Sequence, residues 1–110
     1  MFKPSIIPGV FGITQKSSSG ETLYLTVPKG AKNGSCPTME KMLTGEDYDR
    51  QLWRFILSDD GAKSQIQSYS LSEGNGLCLD NANGNIAERS MILWGRNQGE
   101  YQKFYIRIPA

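Results

Sequence analysis

The chain of 110 residues contains no histidine. That absence removes the commonest general base and the commonest metal ligand together, and no nucleophile and base stand at a recognisable spacing, so the sequence reads as a non-enzyme without a metal or other cofactor. Cysteine is scarce: Cys36 and Cys78 are too few for a disulfide scaffold or a structural zinc site, and both are expected to be reduced and partly buried. Charge of one sign is also lacking, since 12 Lys and Arg face 11 Asp and Glu. The net +1 offers no bulk attraction to phosphate backbones or anionic membranes, which argues against nucleic acid as a partner. Long apolar runs are missing as well. The stretch Met1 to Pro8, broken by Pro4 and Pro8, is neither a signal peptide nor a membrane span. The expectation is no membrane insertion, with residence in the cytoplasm or secretion without a signal peptide.

What remains is 38% hydrophobic residues, 21% charged residues and 12 glycines, a composition that suits one loop-rich, all-β domain over residues 1–110. Within it, Gln51-Leu52-Trp53-Arg54-Phe55 has a weaker copy, Gln102-Lys103-Phe104-Tyr105-Ile106, 51 residues later. Other apolar landmarks recur in the same order at offsets of 52 to 54: Ile13 with Ile66, Leu23-Tyr24-Leu25 with Leu77-Cys78-Leu79, and Met42 with Trp94. Two copies of one unit follow, repeat one over about 9–58 and repeat two over about 63–108, a length typical of repeat architectures.

Each copy reads as four short strands. In the first these are Val10 to Ile13, Thr22 to Val27, Thr38 to Met42 and Gln51 to Leu57, separated by Ser17-Ser18-Ser19-Gly20, by a loop with turn chemistry at Asn33-Gly34, and by a polar segment from Gly45 to Asp49. In the second they are Gln65 to Tyr69, Leu77 to Asp80, Ser90 to Trp94 and Phe104 to Ile108. No helical window of convincing length is present. In the Gln-x-aromatic motif, residues i and i+2 of a strand point the same way, so Trp53 fills a core while Gln51 serves loop backbone with both donor and acceptor. Gln51, Trp53 and Phe104 are read as structural.

These residues carry a family resemblance. Gly9-Val10-Phe11-Gly12-Ile13 followed by Ser19-Gly20-Glu21-Thr22-Leu23, then Leu77-Cys78-Leu79-Asp80 with Trp94 and the Gln-x-aromatic close of both units, resemble ricin B-type lectin repeats. The resemblance implies a β-trefoil-like fold, in which three four-stranded units pack about a pseudo-threefold axis. It also implies a galactose- or N-acetylgalactosamine-type sugar site. In that family the Asp after the Leu-x-Leu strand accepts from sugar hydroxyls, an aromatic in the next strand stacks on the ring, and an Asn beside the motif Gln completes the clamp. Here Asp80 would be the acceptor and Trp94 the platform. The Asn position is Tyr101, leaving Asn97 or Gln102 to supply the amide. The disulfide the family forms within a repeat would join Cys78 to a Cys just past the tryptophan, where Arg96 stands. In the first unit Asp80 maps to Thr26 or Val27, Trp94 to Met42 and Tyr101 to Arg50, so no sugar site is expected there.

Alternatives stay open for both key residues: Asp80 as a strand-end carboxylate capping the turn over Asn81 to Asn85, and Trp94 as a core aromatic. Asp80 to Asn85 fails as a calcium loop, because the sixth position is Asn85 and the twelfth Met91. Two units of a threefold barrel would expose apolar surface and strand edges, so an incomplete trefoil completed by a homo-oligomer is expected. The leading function is a lectin for glycans or glycoproteins, its weak single sites reinforced by multivalency. The alternative is a protein-interaction module, such as a protease inhibitor or an assembly subunit, without sugar binding.

Overall fold

The computed structural model describes residues 2–57, 61–81 and 91–105. Among them, alternating and β-branched stretches punctuated by glycine form eight strands: β1 (Phe2–Pro4), β2 (Val10–Lys16), β3 (Thr22–Thr26), β4 (Thr38–Glu40), β5 (Trp53–Leu57), β6 (Ser64–Ser68), β7 (Leu77–Asp80) and β8 (Ile92–Gly95). All pair antiparallel in one mainly β sheet of order β4-β3-β2-β5-β6-β7-β8, with β1 on β2. No helix among the described residues is long and apolar enough to cross a membrane.

Three local readings are corrected. The strand expected from Gln51 begins at Trp53, because Gly45–Gln51 forms a 3-10 helix. Its entry suits that outcome: Gly45 adopts φ +64°, and Glu46 and Asp47 lie in the first turn, where exposed amides favour negative charge. The strand expected over Ser90 to Trp94 runs from Ile92 to Gly95. The proline-bounded arm is itself a strand: Phe2 opposes Ile13 and Pro4 opposes Phe11. Phe55 and Leu57 oppose Ile66 and Ser64 in the same way, so β1 copies on the first unit the place that the end of β5 holds on the second. Of the last expected strand, Phe104 pairs with Ser64 through two hydrogen bonds of 2.8 Å, and 106–108 lie outside the described residues.

The core gathers one face of these strands: Phe11, Val27, Trp53, Ile66, Leu79 and Leu93, with Phe2, Phe55 and Phe104 packed against it. Trp53 is fully buried and donates its indole N–H to Leu25 O at 3.1 Å. Burying so large an aromatic contributes roughly 4–6 kcal/mol by area. Phe11 and Phe55 stack with centroids 4.0 Å apart, and Phe2 meets both edge-on. The central strand β6 is buried along its whole length although four of its five residues are Ser or Gln. Its amides are satisfied: Gln65 donates to Asn97 O, and Gln67 donates to Gly76 O while accepting from Arg54.

The two units share one hydrogen-bonding device. Gln51 Nε2 donates to Thr26 Oγ1 and Lys41 O, and its Oε1 accepts from Leu43 N. Gln102 Nε2 donates to Asp80 Oδ2 and Gly95 O, and its Oε1 accepts from Asn97 N. The backbone pairs Val27 N to Arg50 O and Asn81 N to Tyr101 O complete the correspondence. Thr26 is therefore the counterpart of Asp80, and Arg50 that of Tyr101. The counterpart of Trp94 is corrected: Trp94 opposes Cys78 as Glu40 opposes Tyr24, so Glu40 and not Met42 holds that place.

Candidate functional site

The site grows from the pleat of the β7–β8 hairpin. Leu79 and Leu93 face each other and enter the core, at 4% and 0% exposure. Their strand neighbours must point to the opposite face, which gathers Cys78, Asp80, Ile92 and Trp94. Trp94 is 42% exposed there, in contrast to the fully buried Trp53, so it is no core aromatic. Asp80 lies diagonally across the hairpin from Trp94 on that same face, as a second-neighbour cross-strand pair.

Asp80 is buried to 8% exposure, and its Oδ2 accepts from Gln102 Nε2 at 3.2 Å. That bond turns a flexible carboxylate into an oriented acceptor. Gln102 is itself fully buried with all its capacity committed, since its Oε1 also accepts from Gln65 Nε2 at 2.9 Å. Gln65 in turn accepts from Arg96 Nε at 2.9 Å, so a polar chain runs Asp80, Gln102, Gln65, Arg96. Asn97 joins this chain through its backbone, whereas its side-chain Oδ1 accepts from Gly99 N at 2.8 Å. Tyr101 contributes its carbonyl to Asn81 and leaves its ring 48% exposed. The structure thus links Asp80, Asn97 and Gln102 directly and sets Trp94 on the face of Asp80. Both ends of the Gln102 amide are occupied within the chain, as is Oδ1 of Asn97. The proposed turn beyond Asn81, from 82 to 85, lies outside the described residues.

Opposite Trp94 across the hairpin stands Cys78, fully buried. Burial pushes its thiol pKa up to about 11, against the pull of Arg96 and Arg54, so it is an inert packing residue. Cys36 is exposed instead, and neither cysteine forms a disulfide. Among the described residues, no three His, Cys, Asp or Glu side chains cluster to hold a metal ion.

One contributor was not among the residues the sequence singled out. The loop between β3 and β4 reaches across from the first unit and clasps the outer edge of β8: Gly34 N donates to Leu93 O at 2.8 Å, and Leu93 N donates to Ser35 O at 2.7 Å. Asn33 Oδ1 accepts from Gly95 N at 2.7 Å, 62 residues away in sequence. Gly34, at φ +94°, lies beside the indole, where a Cβ would sit 4.0 Å from Trp94 Cζ3. Asn33-Gly34 announced a turn, and nothing in a local signal announces what the turn leans on.

Comparison with known proteins adds nothing to this geometry. No protein-family model matches the chain, and no curated protein does. The arrangement has to be read from its own chemistry: a half-exposed indole, a carboxylate on the same face, and a polar chain that orients that carboxylate. In unit one the same positions hold Thr26 and Glu40, which provide neither a carboxylate on the glutamine nor an aromatic platform.

Proposed function

We propose that this chain is a non-enzymatic, carbohydrate-binding protein of the ricin B type, β-trefoil-like in architecture, that takes galactose- or N-acetylgalactosamine-type sugars at one site in its second unit. The observation that carries the reading is the exposed indole of Trp94 on the same face as Asp80, whose carboxylate is oriented by the buried Gln102. A pyranose offers an apolar C–H face and vicinal hydroxyls. The indole suits the first, and a fixed carboxylate suits the second, since its lone pairs accept from two hydroxyls without first being ordered. Gln102 acts as a positioning residue for Asp80, while the ring of Tyr101 and the loop of Asn97 border the site.

The direct test is a broad glycan array with wild-type protein beside Trp94→Ala. Trp94 lies outside the core, so the variant is expected to remain folded at a cost of about 1–3 kcal/mol for the covered part of the indole, while losing at least tenfold in binding to terminal galactose or N-acetylgalactosamine glycans. A wild-type protein that binds no glycan would reject the reading in favour of a protein-interaction module on the same scaffold.

A further inference from the structure

We propose that the saccharide taken by this chain is acidic, and that Arg54 and Arg96 bind its carboxylate or sulfate beside the sugar that rests on Trp94; this rests on the sugar-binding reading above. The register of the sheet places Arg54 opposite Gln67, Gln67 opposite Cys78 and Cys78 opposite Trp94. These four residues form one rung from β5 to β8, and residues paired across strands put their side chains on the same face, here the one turned away from the core. Both arginines are pinned on the buried glutamines of β6: Arg54 Nε donates to Gln67 Oε1 at 2.7 Å, and Arg96 Nε donates to Gln65 Oε1 at 2.9 Å. Gln65 and Gln67 point the same way, about 7 Å apart along the strand. Both arginines are exposed, and among the described residues neither forms an ion pair or donates through its terminal nitrogens. An uncharged donor would serve either glutamine, so the two fixed positive charges are surplus to the fold. Against them strands β5 to β8 carry one carboxylate, Asp80, and its Oδ2 is held by Gln102. Burial raises the Cys78 thiol pKa and the charges of Arg96 and Arg54 both oppose it, so the two cations converge on the middle of the rung, one strand from Trp94. Gln67 and Trp94 are two inter-strand spacings apart, about 10 Å, a span that two linked sugar rings cover. A guanidinium already fixed through Nε meets an anion with its remaining N–H groups at little ordering cost, and such charge-assisted bonds are the strong ones.

The test uses the full chain, titrated with lactose, sialylated lactose and sulfated lactose. At least one acidic form should bind wild type roughly tenfold more tightly than lactose does, and that advantage should shrink as salt rises from about 50 mM to about 500 mM, a readout that needs no variant to fold. A gain for the sialylated form alone names a carboxylate as the group bound, and a gain for the sulfated form alone names a sulfate ester; either supports the proposal. Replacing both arginines, Arg54→Gln with Arg96→Gln, keeps an amide donor at each position and removes the charge, so it should bring the acidic forms down to the affinity of lactose. Wild type binding lactose as tightly as both acidic forms, or an acidic preference that survives in the double variant, would overturn the proposal and leave the sugar site standing. A wild-type chain that binds none of the three would overturn both.

Discussion

At the scale of single residues, the most telling ionisable group outside the site is Asp49. It lies in the 3-10 helix and accepts four hydrogen bonds from the segment after β6: from Ser70 Oγ at 3.0 Å, Leu71 N at 2.8 Å, Ser72 N at 3.1 Å and Ser72 Oγ at 2.6 Å. Burial alone pushes its carboxyl pKa up, but the bonds from Ser72, Leu71 and Ser70 outweigh it and hold the group below the ordinary aspartate value. A folded pKa below the unfolded one means that the stabilisation is complete above the ordinary carboxylate range and is lost as pH falls through the folded value. Urea midpoints measured between about pH 6 and pH 2 should therefore fall more steeply for wild type than for Asp49→Asn, and parallel curves would show that Asp49 contributes nothing to acid sensitivity. Glu100 is also held below its usual range, by Lys63 and Lys103, yet it is fully exposed and solvent screening leaves it little influence.

At the scale of elements, the tightest junction between the units is a turn. Gly74 has φ +62° and closes onto the first unit, where a Cβ would stand 2.7 Å from Val27 Cγ1 and 3.0 Å from Ala31 Cβ. Gly74→Ala combines a left-handed backbone with overpacking and is expected to cost about 1–3 kcal/mol, whereas Gly20→Ala, at φ +87° but in open space, should cost only about 1 kcal/mol. Thermal denaturation of both variants checks the order. The strands that alternate clearly or carry β-branched and aromatic residues, β2, β3, β5 and β7, were legible in the sequence, as was the pairing of Gln51 with Gln102. Phe2–Pro4 was not, because Pro4 within it and Pro8 beyond it mark a strand of three residues as an arm, and only the register on β2 reveals it. Nor was the full burial of β6 legible, since Ser and Gln signal a surface unless their partners, here Gln102, Gly76 and Arg54, are known. Asp80 and Trp94 were singled out on the resemblance to ricin B-type repeats, and the face they share was not legible: period-two alternation through Ile92, Leu93 and Trp94 is silent when all three are apolar. The hydrogen bond between Asn33 and Gly95 escaped because it joins residues 62 apart in sequence. That contact also means that changes in the loop from Lys29 to Gly34 disturb the surroundings of Trp94, so loop variants do not separate a sugar site from a loop-borne protein contact.

At the scale of the whole molecule, β1 leaves an apolar cleft of about 310 Å³ lined by Phe2, Pro4, Gly9, Val10, Phe11 and Phe55. Lys3 and Pro4 on the strand itself discourage a further strand from adding to its edge. We therefore expect self-association through the cleft and not through the strand edge. Light scattering after size exclusion should give a mass above 12.2 kDa that decreases on dilution, and a constant 12.2 kDa at every concentration would rule self-association out. The shared glutamine device sets the scaffold apart from the residues that it holds. Gln51 and Gln102 are sockets of one pattern, each gripping the end of a strand, and the socket is part of the fold whatever it grips. Thr26 fills the first and Asp80 the second, with Glu40 and Trp94 opposite. On the sugar-binding reading proposed above, valency is set by what these two positions of each unit hold, and Thr26→Asp with Glu40→Trp is the pair of changes that would carry the second unit's arrangement to the first.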